Sequence, residues 1–453
     1  MVNFFLRFNN TSTNKQDHYF APIFIVLIIC LFCWWSNPSL IPKMSPDSWG
    51  YINLSEDFSH DASEIRSCLF PLFIKFCRLI SDTYWPQIFS VIQILFHSVI
   101  CFLLFHAYLK FNFNKSIAVI LTLIIGFNPA LVYYTTYILA DHFLAVITTL
   151  ACLCSVYSIE LYNKNNKINI YFILTAILTG LSVVIKPIAI LVIVPILLLY
   201  IFNCRSKLDC FKSLVLLLVI HFSFHVLWEQ YKIINNPKSK FELLDSIEYS
   251  INMTSIRGGL IEAGKGTPLY NSILKKNLLD DARKFRIEMS YTMDTNPLYW
   301  KFNKELTWKE KNDKEFAISI INNNPIKLFL YSISNWHAFF TKRSFGFSES
   351  SFPGMPEFVR YIYIVGYSFL YRPLLLILVF ITIIILVKKK LLTLLFSYGG
   401  VILYASLAVA ILTPHGSEFA RYRVWVEYIL WFLALLPLGF LLNKVIRMKR
   451  NKK

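Results

Sequence analysis

The sequence predicts an all-α protein that crosses a bilayer many times. Three observations carry this. Of 453 residues, 56% are hydrophobic and only 16% charged, whereas an ordinary soluble domain carries about 25% charged residues. The apolar residues come in long unbroken runs, and about 18 or more suffice to cross a hydrocarbon core of roughly 30 Å as a helix. They do not alternate as barrel strands would. Backbone groups inside lipid must be paired within their own segment, so such runs are helices.

Taken in order, the runs predict about ten spans: 20–36, 84–109, 116–138, 140–162, 168–185, 187–203, 211–230, 360–387, 391–412 and 424–443. The first ends at Trp34-Trp35 with no small-residue cleavage site behind it, so it reads as a retained span. The fifth and sixth form a hairpin broken at Lys186-Pro187, because proline lacks a backbone donor. The basic connections Lys110 to Lys115, Lys164 to Lys167, Arg205 to Lys212, Lys388 to Lys390 and the tail Arg447 to Lys453 fall on one side of a ten-span chain, with Arg7 and Lys15. Lys and Arg are retained on the cytoplasmic side, so both termini are expected there. Three regions follow: an N-terminal transmembrane module 1–230 with a first outer loop 37–83, an outer helical region 231–359, and a C-terminal transmembrane module 360–453 with a basic tail. Within the outer region, Ser272 to Met289 and Glu315 to Phe340 have amphipathic helical patterns. Within the second, Ile326 to Phe340 suits a helix lying in the interface, with Trp300, Trp308 and Trp336 as interfacial aromatics.

A net charge of +18 would suggest nucleic acid in a soluble protein. Here cytoplasmic retention of basic residues and anionic lipid account for it, and no nucleic-acid motif appears. Most of the nine cysteines sit in spans as small apolar residues, Cys30-x-x-Cys33 included. Cys68 and Cys77, in the first outer loop, leave a disulfide open. Sequons at Asn10, Asn53 and Asn252 occur near chance in an Asn-rich chain. His221, His225 and Glu229 share one face of the seventh helix, the spacing of a zinc site or of packed polar residues. His97 and His106 read as core or cavity residues.

Ionisable groups near a membrane are costly and often functional, and five separated segments bring them to the outer surface. Asp47, with Trp49 and Tyr51 beside it, suits a general base with a raised pKa, or else a loop acid or helix cap. Arg66 precedes a short apolar helix and can pair with phosphate or simply lie on the surface. Asp141, followed by His142, heads the fourth span and suits a metal, a sugar hydroxyl or an N-cap. Lys186 is an isolated charge suited to a lipid phosphate or to snorkelling. Glu418, Arg421, Tyr422 and Arg423 open the last span and can clamp a diphosphate or sugar, or form a loop ion pair.

In this order the segments resemble the C-type glycosyltransferase superfamily, and within it family 39, the protein mannosyltransferases and bacterial aminoarabinose transferases. The resemblance rests on Asp47 and Tyr51 after the first span, Arg66 and Pro71, Asn128-Pro129 before Asp141, Gly180-Leu181 before Lys186-Pro187, and Glu418-x-x-Arg421-Tyr422-Arg423. It departs where relatives carry paired acids in the first loop, Glu at the fourth-span head and arginine at Lys186. The resemblance implies transfer of a sugar from a polyprenyl-phosphate carrier to a lipid, glycan or protein acceptor at the outer face. It implies Asp47 or Asp141 as catalytic carboxylates, and Arg66, Lys186, Arg421 and Arg423 on the donor phosphate. Tyr51, His142, Glu418 and Tyr422 would then bind substrate. A divalent cation is left open, and a bacterial inner membrane is the expected location. A transporter or lipid-linked sugar flippase would put charges at the midplane of broken helices, often in inverted repeats; none is evident. A polysaccharide polymerase or ligase would concentrate its catalytic residues in one outer loop.

Overall fold

The computed structural model describes residues 17–58, 66–165, 168–203, 207–235, 243–284, 301–302, 304–341, 351–369, 374–389, 391–412 and 419–450. Among these residues there are helices and no strand; a single bridge pairs Lys43 with Tyr137. Five helices are long and apolar enough to cross a membrane, and one bent pair passes the same test as a unit. Four shorter apolar helices occupy the remaining expected spans, Ala21–Ser36, Ile170–Val183, Pro187–Asn203 and Leu375–Lys388.

In chain order, α1 (Asp17–Ser36) is followed by the short outer helices α2 (Pro46–Glu56) and α3 (Leu69–Ile80), then by α4 (Trp85–Lys110). The expected third span is two pieces, α5 (Lys115–Gly126) and α6 (Pro129–Thr135), bent by 58°. The cause is local. Pro129 cannot donate to the preceding turn, and the Asn128 side chain caps the new helix by accepting from Ala130 N at 2.9 Å. Helices α7 (Ala140–Asn165) and α8 (Ile170–Val183) pack as a hairpin. A 3₁₀ turn, Pro187–Val192, leads into α9 (Ile193–Asn203), and α10 (Lys207–Asn235) closes the N-terminal half.

The described residues between 243 and 341 have their own small core. Met253, Ile256 and Leu260, beginning on α11 (Leu243–Arg257), pack with Leu269, Ile273, Phe302, Phe316 and Ile320. The expected long helices there are broken. Ser272 to Met289 becomes α12 (Pro268–Lys275) and α13 (Leu279–Lys284), parted where Asn277 takes a left-handed φ of 56°. Residues 285–289 lie outside the described residues. After α14 (Trp308–Lys311), the stretch Glu315 to Phe340 becomes α15 (Lys314–Asn323) and α16 (Pro325–Thr341), because Pro325 stops the first. Ile326, Phe329, Leu330 and Ile333 form an exposed apolar stripe on α16. Trp336 is half-buried and donates to Ser406 Oγ at 2.8 Å.

The expected span 360–387 contains α17 (Glu357–Phe369) and α18 (Leu375–Lys388), with residues 370–373 between them outside the described residues. They are followed by α19 (Leu392–Leu394), a π turn, α20 (Gly400–Leu412), α21 (Phe419–Arg423) and α22 (Glu427–Arg450). The transmembrane helices share one continuous core that reaches from Ile25 to Leu436. Cys68 and Cys77 are free thiols. Nine residues along a helix separate two side chains by about 13 Å, too far for a disulfide.

Candidate active site

The first outer loop is placed by the main chain. Lys43 N donates to Thr136 O at 2.7 Å, and Ile138 N donates to Lys43 O at 3.0 Å. Ser48 Oγ accepts from Ser45 N at 2.9 Å and donates to Ile138 O at 2.7 Å. The start of α2, with Asp47, is therefore stitched beside the start of α7, with Asp141. A second stitch joins Leu69 N to Val184 O at 3.0 Å, so Arg66 and Lys186 come from neighbouring segments. Lys186 precedes a proline, which forces it out of the helical region to φ −149° and ψ 119°.

The five segments singled out in the sequence converge on one string of alternating charge. Arg66 Nη2 meets Asp47 Oδ1 at 2.6 Å. The other oxygen of Asp47 meets Arg421 Nη2 at 2.7 Å. Arg421 Nε donates to Asp141 Oδ2 at 3.2 Å, and Lys186 Nζ donates to Asp141 Oδ1 at 2.5 Å. Asp141 is fully buried and Arg421 nearly so, while Asp47 is one-third exposed. Buried charges persist only when paired in this way. Burial pushes the Asp47 carboxyl up, but the Arg421 and Arg66 guanidiniums outweigh it and hold the group well below the usual carboxylate range. The raised pKa expected for Asp47 is thus reversed, because two arginines rather than apolar rings form its surroundings.

Two tyrosines frame the cations. The Arg66 guanidinium lies 4.8 Å over the Tyr51 ring, and its Nη1 donates to the Tyr51 hydroxyl at 3.4 Å. The Lys186 ammonium lies 4.4 Å over the Tyr422 ring. Tyr51, Arg66, Lys186 and Tyr422 line a cavity of about 520 Å³. Its other walls are apolar, with Ile188 and Leu191 from the 3₁₀ turn and Leu407, Ala408 and Ile411 from α20. Leu191, Leu407 and Ile411 are also exposed, so the cavity wall they form is open rather than enclosed. Ser250 and Ile251 of α11 also line the cavity, bringing the outer region to it. No sequence signal had marked them, since neither residue type is chemically distinctive.

Two expected site residues turn elsewhere. Arg423 is fully buried, pairs with Glu427 at 2.9 Å and donates to Phe339 O at 2.7 Å. Residues two apart on a helix point to nearly opposite faces, so Arg421 and Arg423 do not serve one ligand. His142 faces the bundle interior, within reach of Gln93 and Tyr428. Glu418 lies outside the described residues. The helical face of His221, His225 and Glu229 does not form a ligand set: His221 Nε2 donates to Ile190 O at 3.0 Å and Glu229 pairs with Lys232 at 2.8 Å. Among the described residues no three His, Cys, Asp or Glu side chains gather as metal ligands.

A cavity that joins two cations to apolar walls has the chemistry to hold an amphiphile with an anionic headgroup. Residues 87–229 match the family model of dolichyl-phosphate-mannose-protein mannosyltransferases. No curated protein matches the chain. Among solved structures, ArnT from Cupriavidus metallidurans bound to undecaprenyl phosphate is similar at 12% sequence identity. That comparison has a TM-score of 0.39 and covers 92% of this chain and 77% of that one.

Proposed function

We propose that the chain moves a sugar from a polyprenyl monophosphate to an acceptor hydroxyl on the outer side of a bacterial inner membrane. The carrying observation is the cavity. Arg66 and Lys186 line it together with apolar side chains of the 3₁₀ turn and α20, among which Leu191, Leu407 and Ile411 are exposed. A prenyl tail fits the apolar walls and a phosphate fits the cations. Charge selects the number of phosphates. Three cations and two carboxylates leave the string one positive charge in excess. A sugar phosphodiester carries one negative charge and neutralises it; a diphosphate overshoots.

In the proposed reaction the acceptor oxygen attacks the anomeric carbon as the bond from that carbon to the phosphate oxygen breaks. The bonding electron pair stays on the phosphate, which leaves as the prenyl monoester with one more negative charge. Arg66 and Lys186 stabilise that charge. The acceptor proton passes to Asp47. A phosphate that draws Arg66 toward itself loosens one of the two guanidiniums depressing the Asp47 pKa, so the base strengthens as donor binds. Asp141 balances the charge of Arg421 and Lys186 and is the fixed anchor from which they reach the donor. Tyr51 and Tyr422 flank the headgroup. The small outer core roofs the cavity through Ser250 and Ile251 and presents the acceptor. The stripe on α16 suits the interface beside it.

The test is transfer of radiolabelled sugar by membranes holding the chain, supplied with prenyl-monophosphate, prenyl-diphosphate or nucleotide sugars. Transfer from monophosphate donors alone is the expected result. Transfer from nucleotide or diphosphate donors refutes the proposal.

A further inference from the structure

Beneath the charge string lies a second chain of polar groups, all fully buried: Gln93 and His97 on α4, His142 on α7 and Tyr428 on α22. Tyr428 Oη lies 2.6 Å from His97 Nδ1 and 2.8 Å from His142 Nε2. His97 Nε2 lies 2.9 Å from Gly126 O, at the bend between α5 and α6. His142 Nδ1 lies 2.6 Å from Gln93 Oε1, the amide oxygen and nitrogen being interchangeable by a flip of the side chain.

Hydrogen-bond logic fixes the protons. A carbonyl only accepts, so His97 Nε2 carries a hydrogen and, in a neutral ring, Nδ1 accepts from the Tyr428 hydroxyl. The phenol oxygen then accepts from His142 Nε2–H. That leaves His142 Nδ1 a bare lone pair in need of a donor. Gln93 supplies one when its amide is turned so that Nε2, otherwise without a partner, faces the ring. The alternative puts an imidazolium in the apolar interior with no carboxylate among these partners, which costs far more.

The two chains are coupled through covalent neighbours. His142 follows Asp141 directly, and Tyr428 lies seven residues, about two helical turns, after Arg421. The head of α7 is therefore tied twice: by Asp141 to Arg421 of α21 at 3.2 Å, and by His142 to Tyr428 of α22 at 2.8 Å. The cations of the first tie must yield to an arriving phosphate; the second tie has no ligand to yield to. We infer that Gln93, His97, His142 and Tyr428 are positioning residues that hold Asp141 fixed while Arg66, Lys186 and Arg421 adjust to the donor. This rests on the glycosyl-transfer reading and gives His142 a role other than touching substrate.

The test compares wild type, Tyr428→Phe, His142→Leu and His142→Gln in transfer from a prenyl-monophosphate sugar, per amount of folded protein. A glutamine amide can replace the Nε2–H donor; leucine cannot. Tyr428→Phe and His142→Leu are expected to lower kcat by about tenfold or more with donor KM changed by less than about threefold, and His142→Gln to recover part of the loss. Equal kcat in Tyr428→Phe and wild type, or a glutamine variant no better than leucine, overturns the inference while leaving the functional reading intact. A wild-type chain that transfers from no monophosphate donor overturns the functional reading and this inference with it.

Discussion

Replacing Lys186 with glutamine separates a catalytic cation from a mere counter-ion. Lys186 is one of two cations that partner the fully buried Asp141, at 2.5 Å, and it also lines the cavity. Removing one member of a buried pair typically destabilises by about 3–5 kcal/mol, because the remaining charge is left undercompensated. Here Arg421 stays on Asp141, so the lower end of that range is expected. Losing a preorganised group that stabilises a leaving charge costs about 10²–10³ in kcat, or roughly 3–4 kcal/mol. The two effects are separable with Asp141→Asn/Lys186→Gln, which removes the buried charge together with its partner. The double variant is expected to regain most of the heat stability in detergent yet stay at least about 10²-fold down in transfer per folded molecule. Full recovery of transfer in the double variant would show that Lys186 serves only Asp141. Wild-type turnover in Lys186→Gln alone would remove it from phosphate chemistry altogether.

Three further outcomes follow from the geometry. Because Asp47 has a folded pKa held below its unfolded value of about 3.9, its ion pairs contribute fully above that value and are lost as pH falls through and below it. The unfolding-temperature gap between wild type and Asp47→Asn should shrink below about pH 5; a gap constant from neutrality to pH 3 would refute the pairing. Ala408→Phe enlarges the apolar cavity wall, so KM should rise for a long-chain donor and stay unchanged for a short-prenyl analogue carrying the same sugar phosphate; equal changes for both would argue against the tail path. Gly354→Ala would put a methyl carbon 1.7 Å from Trp35 O and 2.8 Å from Pro38 Cδ, so thermal unfolding in detergent should report a loss of about 1–3 kcal/mol or more. An unchanged midpoint would show that this outer loop does not pack there.

The helices were legible because apolar length is a one-dimensional property. So was the convergence of Asp47, Arg66, Asp141, Lys186 and Arg421, since loop basicity assigns sides and the charges in question all fell on one of them. Direction was less legible. Asp141 and His142 are adjacent, so about 100° of helix rotation separates a site group from a bundle group, and the neighbours on α4 and α22 decide which is which. Arg421 and Arg423 are two apart, and that spacing alone warned that one would turn away. The sign of the Asp47 shift depended on two arginines, 19 and 374 residues downstream, meeting the same carboxylate. The breaks at Pro129 and Pro325 were written in the sequence, but a long apolar or amphipathic pattern ran across each and outweighed it.

The main-chain pairing of Lys43 with residues 136 and 138 turns loop length into a ruler. From that fixed point the chain runs four residues to Asp47 on one arm and, from Ile138, three to Asp141 on the other. Side chains along either arm can be exchanged without changing where the carboxylates stand. One residue inserted into the extended part of an arm would move its acid by about 3.3 Å, more than the span of a hydrogen bond. Variation among proteins built this way should therefore appear as substitutions between Lys43 and Asp47, and as insertions only beyond them, in the stretch between Glu56 and Arg66.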